Sequence, residues 1–263
     1  MTPLALCLVA LLHGCVSVAD RYDAKARGMG LDTHEVAGAG FSHRVYARTL
    51  AGATHVRVYF EGDGTPWIGG RTIAADPTPR QPFALELMRN DAGATLFVGR
   101  PCYHGLADAP GCGPSYWTDA RYGDAVVASM AAALAAALNC CPDATVTLIG
   151  YSGGGVLARL VAARTDRVVR VVTVAANLDV AAWTDLHGYL PLSSSIDPAR
   201  LPADVPAFAE IHLTGGRDRN VPAALVESYA RGRPWVRVER FSDFDHVCCW
   251  ADAWPALIER LDP

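Results

Sequence analysis

The chain has 263 residues, 51% hydrophobic and 19% charged, with a formal net charge of −4 at pH 7. That length suits one large core, and α/β folds of this size are commonly a single domain. Basic and acidic residues are interspersed, so there is no basic stripe for nucleic acid and no long acidic tail; polyanion partners are not expected.

The chain begins with an apolar run inside Pro3 to Cys15. It is about ten residues long, too short for a permanent membrane-spanning helix, and reads as a secretion signal over 1–14. Leu12, Gly14 and Cys15 resemble a bacterial lipobox, which implies lipidation of Cys15 and a membrane partner through that anchor. His13 is unusual there, and no Lys or Arg precedes Leu4. Plain cleavage after Gly14 is the alternative. Val16 in place of Asp favours the outer membrane; without lipidation the protein would be periplasmic or secreted. Residues 15–40 read as lipidated cysteine and tether, since Ser17 to Asp32 is polar and dotted with glycine, and 41–263 as the folded domain.

Beyond Cys7 and Cys15, six cysteines remain: Cys102, Cys112, Cys140, Cys141, Cys248 and Cys249. An even number in an exported protein invites disulfides. Spacing favours Cys102 with Cys112 across a short Gly/Pro-rich loop. The adjacent pairs stay unassigned, because neighbouring trans residues lie about 3.8 Å apart at Cα, below the usual disulfide range. No CxxC spacing occurs, so no zinc site is expected.

From His55 onward strands and helices alternate. The patterning predicts strands at His55–Phe60, Ala94–Gly99, Thr145–Gly150, Val168–Ala175, Phe208–Gly215 and Trp235–Phe241. Helices are predicted at Phe83–Asn90, Asp119–Leu138, Val156–Arg164, Ala223–Ala230 and Trp254–Leu261. This order argues an α/β fold: a mostly parallel sheet with helices on both faces.

Gly150-Tyr151-Ser152-Gly153-Gly154 is a GxSxG motif between a strand and a helix. There a sharp turn needs small neighbours and lifts the serine hydroxyl above the sheet edge. Alone, the motif also fits an ordinary tight turn or an anion site at a helix N-terminus. A serine is a poor nucleophile at neutral pH and needs a base, and the base needs an acid that orients it. His246, between the final strand and the final helix, fits the base. Asp218, after the preceding strand, fits the acid, with Asp179 one strand earlier as its rival.

Ser152, Asp218 and His246 in that chain order resemble the α/β-hydrolase superfamily, over essentially Arg44 to Leu261. The resemblance implies a sheet of the eight-strand type and a serine hydrolase working by acyl transfer, with no metal or organic cofactor. It also implies an oxyanion hole made by the Gly153 N–H and a second donor after Phe60, for which Asp63 is the positional candidate. That loop reads Glu61-Gly62-Asp63-Gly64, not the His-Gly of many relatives, and its carboxylates should point away or bind loop backbone.

The substrate is less legible. Residues 180–206 could form a small cap or an ordinary surface connection. Trp67, Tyr103, Tyr116 and Trp117 could line an apolar acyl pocket or simply pack in the core. A small-molecule or lipid ester or a thioester fits equally. A non-catalytic binding lipoprotein on the same shell, or a serine peptidase, is the alternative.

Overall fold

The computed structural model describes residues 16–202, 204 and 206–262. The signal expected over 1–14 and the lipidation site Cys15 lie outside the described residues. Eight strands form one sheet: β1 (Asp32–Ala37), β2 (Ser42–Arg48), β3 (His55–Phe60), β4 (Thr95–Val98), β5 (Thr145–Tyr151), β6 (Val168–Val174), β7 (Ala209–Gly215) and β8 (Val236–Phe241). Their spatial order is β1-β2-β4-β3-β5-β6-β7-β8. The pairs β1 with β2 and β2 with β4 are antiparallel, and every other neighbouring pair is parallel. A small hairpin pairs Trp67–Ile68 with Thr72–Ile73.

Among the described residues seven α-helices accompany the sheet: α1 (Val18–Gly28), α2 (Phe83–Arg89), α3 (Asp124–Ala137), α4 (Gly153–Ala162), α5 (Val180–His187), α6 (Ala223–Ala230) and α7 (Trp250–Leu261). Because side chains alternate along a strand, each central strand feeds both faces. Val58 and Leu148 pack with Met130 and Leu134 of α3 and Leu157 of α4. Tyr59 and Ile149 point the other way and pack with Tyr22 of α1, Met88 of α2 and Trp254 of α7. Both layers are fully buried, as the parallel order requires.

The tether expected from residue 15 is instead folded from Val18 on. Ser17 and Asp20 form a reciprocal cap at the start of α1, at 3.0 and 3.1 Å. Tyr22 and Ala26, one turn apart, bury the inner face. Two apolar positions in eleven residues make too narrow a stripe to read from sequence. The edge pair β1 and β2 was likewise not anticipated, because β1 (DTHEVA) is mostly polar and buries no residue. The helix expected from Asp119 starts at Asp124. Tertiary bonds hold the residues before it in a turn: Ser195 Oγ donates to the Asp119 carbonyl at 2.6 Å and accepts from Tyr122 N at 3.1 Å.

Two buried histidines give the fold an acid limit. His43 contacts the Gly99 carbonyl at 2.9 Å and Ser129 Oγ at 2.7 Å, and burial lowers its pKa to about 4 against the opposing Gly99 bond. His104 lies between the rings of Tyr22 and Phe97; burial, aided by Arg44, lowers it to about 3. Between those values and 6.5 the unfolded chain binds protons that the folded chain does not, so stability falls as pH drops below 6.5. Unfolding free energies from urea titrations should fall from pH 7 to pH 4.5 by more in the wild type than in a His43→Gln, His104→Gln double variant, by on the order of several kcal/mol. An equal fall in both would refute neutral burial of these rings.

Candidate active site

The carboxyl ends of β3, β5, β6, β7 and β8 lie along one edge of the sheet: Phe60 pairs with Gly150, Tyr151 with Val174, Val174 with Leu213, and Gly215 with Phe241. The loops leaving those ends carry Asp63, Ser152, Asp179, Asp218 and His246. In open α/β sheets this is where ligands bind.

Ser152 sits between β5 and α4 with φ 50° and ψ −126°, a conformation L-residues rarely adopt. Its N–H donates to the Val174 carbonyl at 2.9 Å, and its carbonyl accepts from Gly155 N at 2.8 Å. The glycines allow this turn by close approach. A Cβ on Gly154 would overlap the Phe60 carbonyl and stand 2.6 Å from that of Glu61, while one on Gly150 would overlap Gly154 itself. α4 therefore begins at Gly153 and not at the expected Val156. Gly154→Ala is expected to destabilise the protein by about 1–3 kcal/mol through overpacking against backbone, read as a lower denaturation midpoint together with lost activity.

His246 Nδ1 lies 2.8 Å from Asp218 Oδ2. Asp218 Oδ1 accepts from the backbone N–H groups of Asn220 and Val221, each at 2.8 Å. An ionised carboxylate only accepts, so the ring proton sits on Nδ1 and the lone pair on Nε2. The imidazole packs on the Tyr151 ring at 5.3 Å, next to the elbow. Nε2 meets the Asn220 side-chain amide at 3.0 Å, and the described residues show no hydrogen bond between it and Ser152 Oγ. Asp179 is engaged elsewhere: its Oδ1 accepts from Ala182 N at 2.9 Å as the N-cap of α5.

The two candidate oxyanion donors sit on loops beside Ser152. Gly62, next to Asp63, would place a Cβ 3.5 Å from that of Ser152. Among the described residues neither the Gly153 nor the Asp63 N–H has a hydrogen-bond partner. Both stay available to a developing anion. Glu61 binds loop backbone as expected, accepting from Gly62 N at 3.1 Å and Ala84 N at 2.9 Å; burial raises its pKa to about 7 against those bonds.

Asp63 departs from expectation. Its carboxylate does not point away but lies against Gly153, where a Cβ would overlap it. Three partners neutralise it: Arg100 at 2.7 Å, Arg121 at 3.0 Å and the Tyr122 hydroxyl at 2.6 Å. Burial pushes the carboxyl up, and the two guanidiniums and the hydroxyl outweigh it, leaving the pKa below the usual carboxylate range. Tyr103 adds a hydrogen bond to the Asp63 carbonyl at 3.0 Å. Arg100, Arg121, Tyr122 and Asn220 were missed from sequence; the arginines lie 37 and 58 residues from Asp63, with no motif to join them.

An open cavity of about 480 Å³ begins one residue beyond His246, lined by Phe83, Val247, Cys248 and Cys249 among others. Phe83 also packs on Tyr151 at 4.1 Å. Of the aromatics that could line a pocket or pack in the core, Tyr103 and Trp117 are buried around Cys102, Tyr116 packs on Phe41, and Trp67 lies on the exposed hairpin. Cys102 and Cys112 are joined, with Cα atoms 5.4 Å apart. Cys248 and Cys249 are also joined, across a cis peptide that brings their Cα atoms to 3.1 Å, where the sequence reading assumed trans spacing. Cys140 and Cys141 are free thiols. Among the described residues no group of three His, Cys, Asp or Glu is placed to hold a metal ion, and no helix is long and apolar enough to cross a membrane.

A family profile described as the alpha/beta hydrolase fold matches residues 90–205. With the strand order and the elbow, this decides the fold. The chain has the α/β-hydrolase fold. An esterase of Pyrococcus furiosus is 13% identical, with a TM-score of 0.61 over 89% of this chain and 92% of that one. Est1E from Butyrivibrio proteoclasticus is 11% identical, also at 0.61, over 87% and 96%. A puromycin hydrolase is 15% identical at 0.59, over 87% of this chain but 38% of its own. No curated protein matches the sequence. At these identities the α/β-hydrolase likeness speaks for the fold, and the chemistry rests on the residues above.

Proposed function

We propose that this α/β-hydrolase-fold protein is a serine hydrolase that cleaves carboxylic esters or related acyl bonds. The observation that carries the reading is the His246–Asp218 pair, 2.8 Å apart and packed on Tyr151 beside the strained Ser152 elbow. Ser152 Oγ attacks the carbonyl carbon while His246 Nε2 takes its proton. The Gly153 and Asp63 N–H groups receive the oxyanion. Collapse expels the alcohol, which takes the proton from His246, and a water activated by the same base releases the acid. Asp218 holds the ring in the required tautomer. The cavity beside Val247 and Phe83, lined also by Lys25, Arg80, Glu86 and Asp252, offers space for part of a small-molecule or lipid ester.

The test is hydrolysis of p-nitrophenyl esters of increasing acyl length, with a fluorophosphonate probe counting active serines. Stoichiometric labelling and turnover support the reading, and chain-length preference sizes the acyl site. A folded protein that neither labels nor turns over would favour the non-catalytic alternative.

We also propose export and lipid anchoring through Cys15, supported by the apolar run before it and by the paired cysteines of the domain. Cys15→Ala should move the protein from the membrane to the soluble fraction and abolish radiolabelled-palmitate incorporation. Unchanged partition would sink that proposal.

A further inference from the structure

The proton-accepting nitrogen of the candidate base is already engaged. With the ring proton on Nδ1 facing Asp218, Nε2 carries a lone pair, and the group 3.0 Å away must donate to it. That group is the Asn220 amide, Nδ2. A general base held this way has to shed its donor before it can take a serine proton. Asn220 is itself held from two sides. Its N–H donates to Asp218 Oδ1 at 2.8 Å. Its carbonyl accepts from Trp183 Nε1 at 3.1 Å and contacts His187 Nε2 at 2.7 Å, both on α5. One residue thus touches base, acid and the 180–206 segment. On that segment Trp183, His187 and Tyr189 form one aromatic group, with ring centroids between 5.2 and 5.6 Å apart. Tyr189 and Leu190 at its edge are exposed.

We propose that Asn220 is a latch on His246, held by α5, that keeps the base off Ser152 until substrate engages the α5 aromatic group. The proposal rests on the serine-hydrolase reading and names Asn220 as a positioning residue for it. Donation from Asn220 stabilises the neutral ring, so the latch sets both the reactivity of Ser152 and the position of the acidic limb of the pH profile. The other titratable groups facing His246 are Asp218, Tyr151 and Asp245, with Arg217 beside Asp245. Asp245 is turned to the backbone, accepting from Val247 N at 2.9 Å and Cys248 N at 2.7 Å. None of them changes when Asn220 is replaced.

The experiment measures fluorophosphonate labelling rates from pH 5 to 9 for the wild type, Asn220→Leu, Asn220→Asp and Trp183→Phe. Asn220→Leu should label about fivefold faster on the alkaline plateau, the worth of one neutral hydrogen bond, with its acidic limb moved to higher pH. Trp183→Phe should move both in the same direction by less. Asn220→Asp, which keeps the volume and carries the test if the leucine variant does not fold, accepts from Nε2–H. Its limb should move higher still, with slower labelling below it. An unmoved limb in both Asn220 variants, with a plateau that is unchanged or slower, overturns the latch and leaves Asn220 a structural residue. If the wild type never labels, the serine-hydrolase reading fails on its own, and the imidazole ¹⁵N spectrum of Ser152→Ala still decides the latch. There the Nε2 resonance should move downfield on adding Asn220→Leu; an unmoved resonance overturns it.

Discussion

Ser152→Ala is expected to lower kcat for ester hydrolysis by a factor between about 10⁴ and 10⁶ and to abolish fluorophosphonate labelling. The substitution removes the attacking oxygen and nothing else that the fold uses. The Ser152 side chain caps no backbone group, and the bonds holding the elbow come from its N–H and carbonyl, which alanine keeps. The thermal midpoint should therefore hold. Residual turnover would come from the two oxyanion donors and from substrate positioning, which survive the loss of the nucleophile. Ser195→Ala is the informative contrast. Ser195 Oγ joins the Asp119 carbonyl to Tyr122 N, so its removal should cost stability through the turn before α3 while leaving probe labelling in place. Turnover in Ser152→Ala above a few percent of wild type would mean that the chemistry is done elsewhere.

The central strands were legible because they are continuous β-rich runs, buried on both faces where the sheet is deepest, as in Val146–Gly150. The motif order along them placed Ser152, Asp218 and His246 on one sheet edge, in the loops after β5, β7 and β8. What escaped was held by tertiary contact alone. α1 buries only Tyr22 and Ala26, and β1 is a polar edge strand, so neither carries a periodic signal. Around the site, chain order finds residues that sit on strand ends but not the groups that service them. Arg100 follows β4 and Arg121 precedes α3, and only the fold brings both onto the Asp63 carboxylate.

In the proposed mechanism, that arginine pair lets an acidic residue occupy the position of an oxyanion donor. An uncompensated carboxylate against Gly153 would oppose the charge that forms there. Its engagement by two cations and a phenol cancels that opposition and also fixes the loop, since Tyr103 holds the Asp63 carbonyl from behind.

Asp218→Asn is expected to lower kcat by about 10⁴ with little change in the fold. The hydrogen bonds around Asp218 fix the outcome. Oδ1 accepts from Asn220 N and Val221 N, so an asparagine there must keep its carbonyl oxygen toward those two donors. Its NH₂ then faces His246 Nδ1, which can accept only by giving up its proton. The ring is driven into the Nε2–H tautomer, with no lone pair for the Ser152 proton, and Nε2–H meets the Asn220 amide as donor against donor. Asp179→Asn serves as the control. It removes a charge of the same kind one strand earlier, where the side chain only caps α5, and the amide oxygen can still accept from Ala182 N. Single-turnover rates with a p-nitrophenyl ester should separate the two by orders of magnitude at equal thermal midpoints. A large loss in Asp179→Asn with a small one in Asp218→Asn would reverse the assignment of the acid.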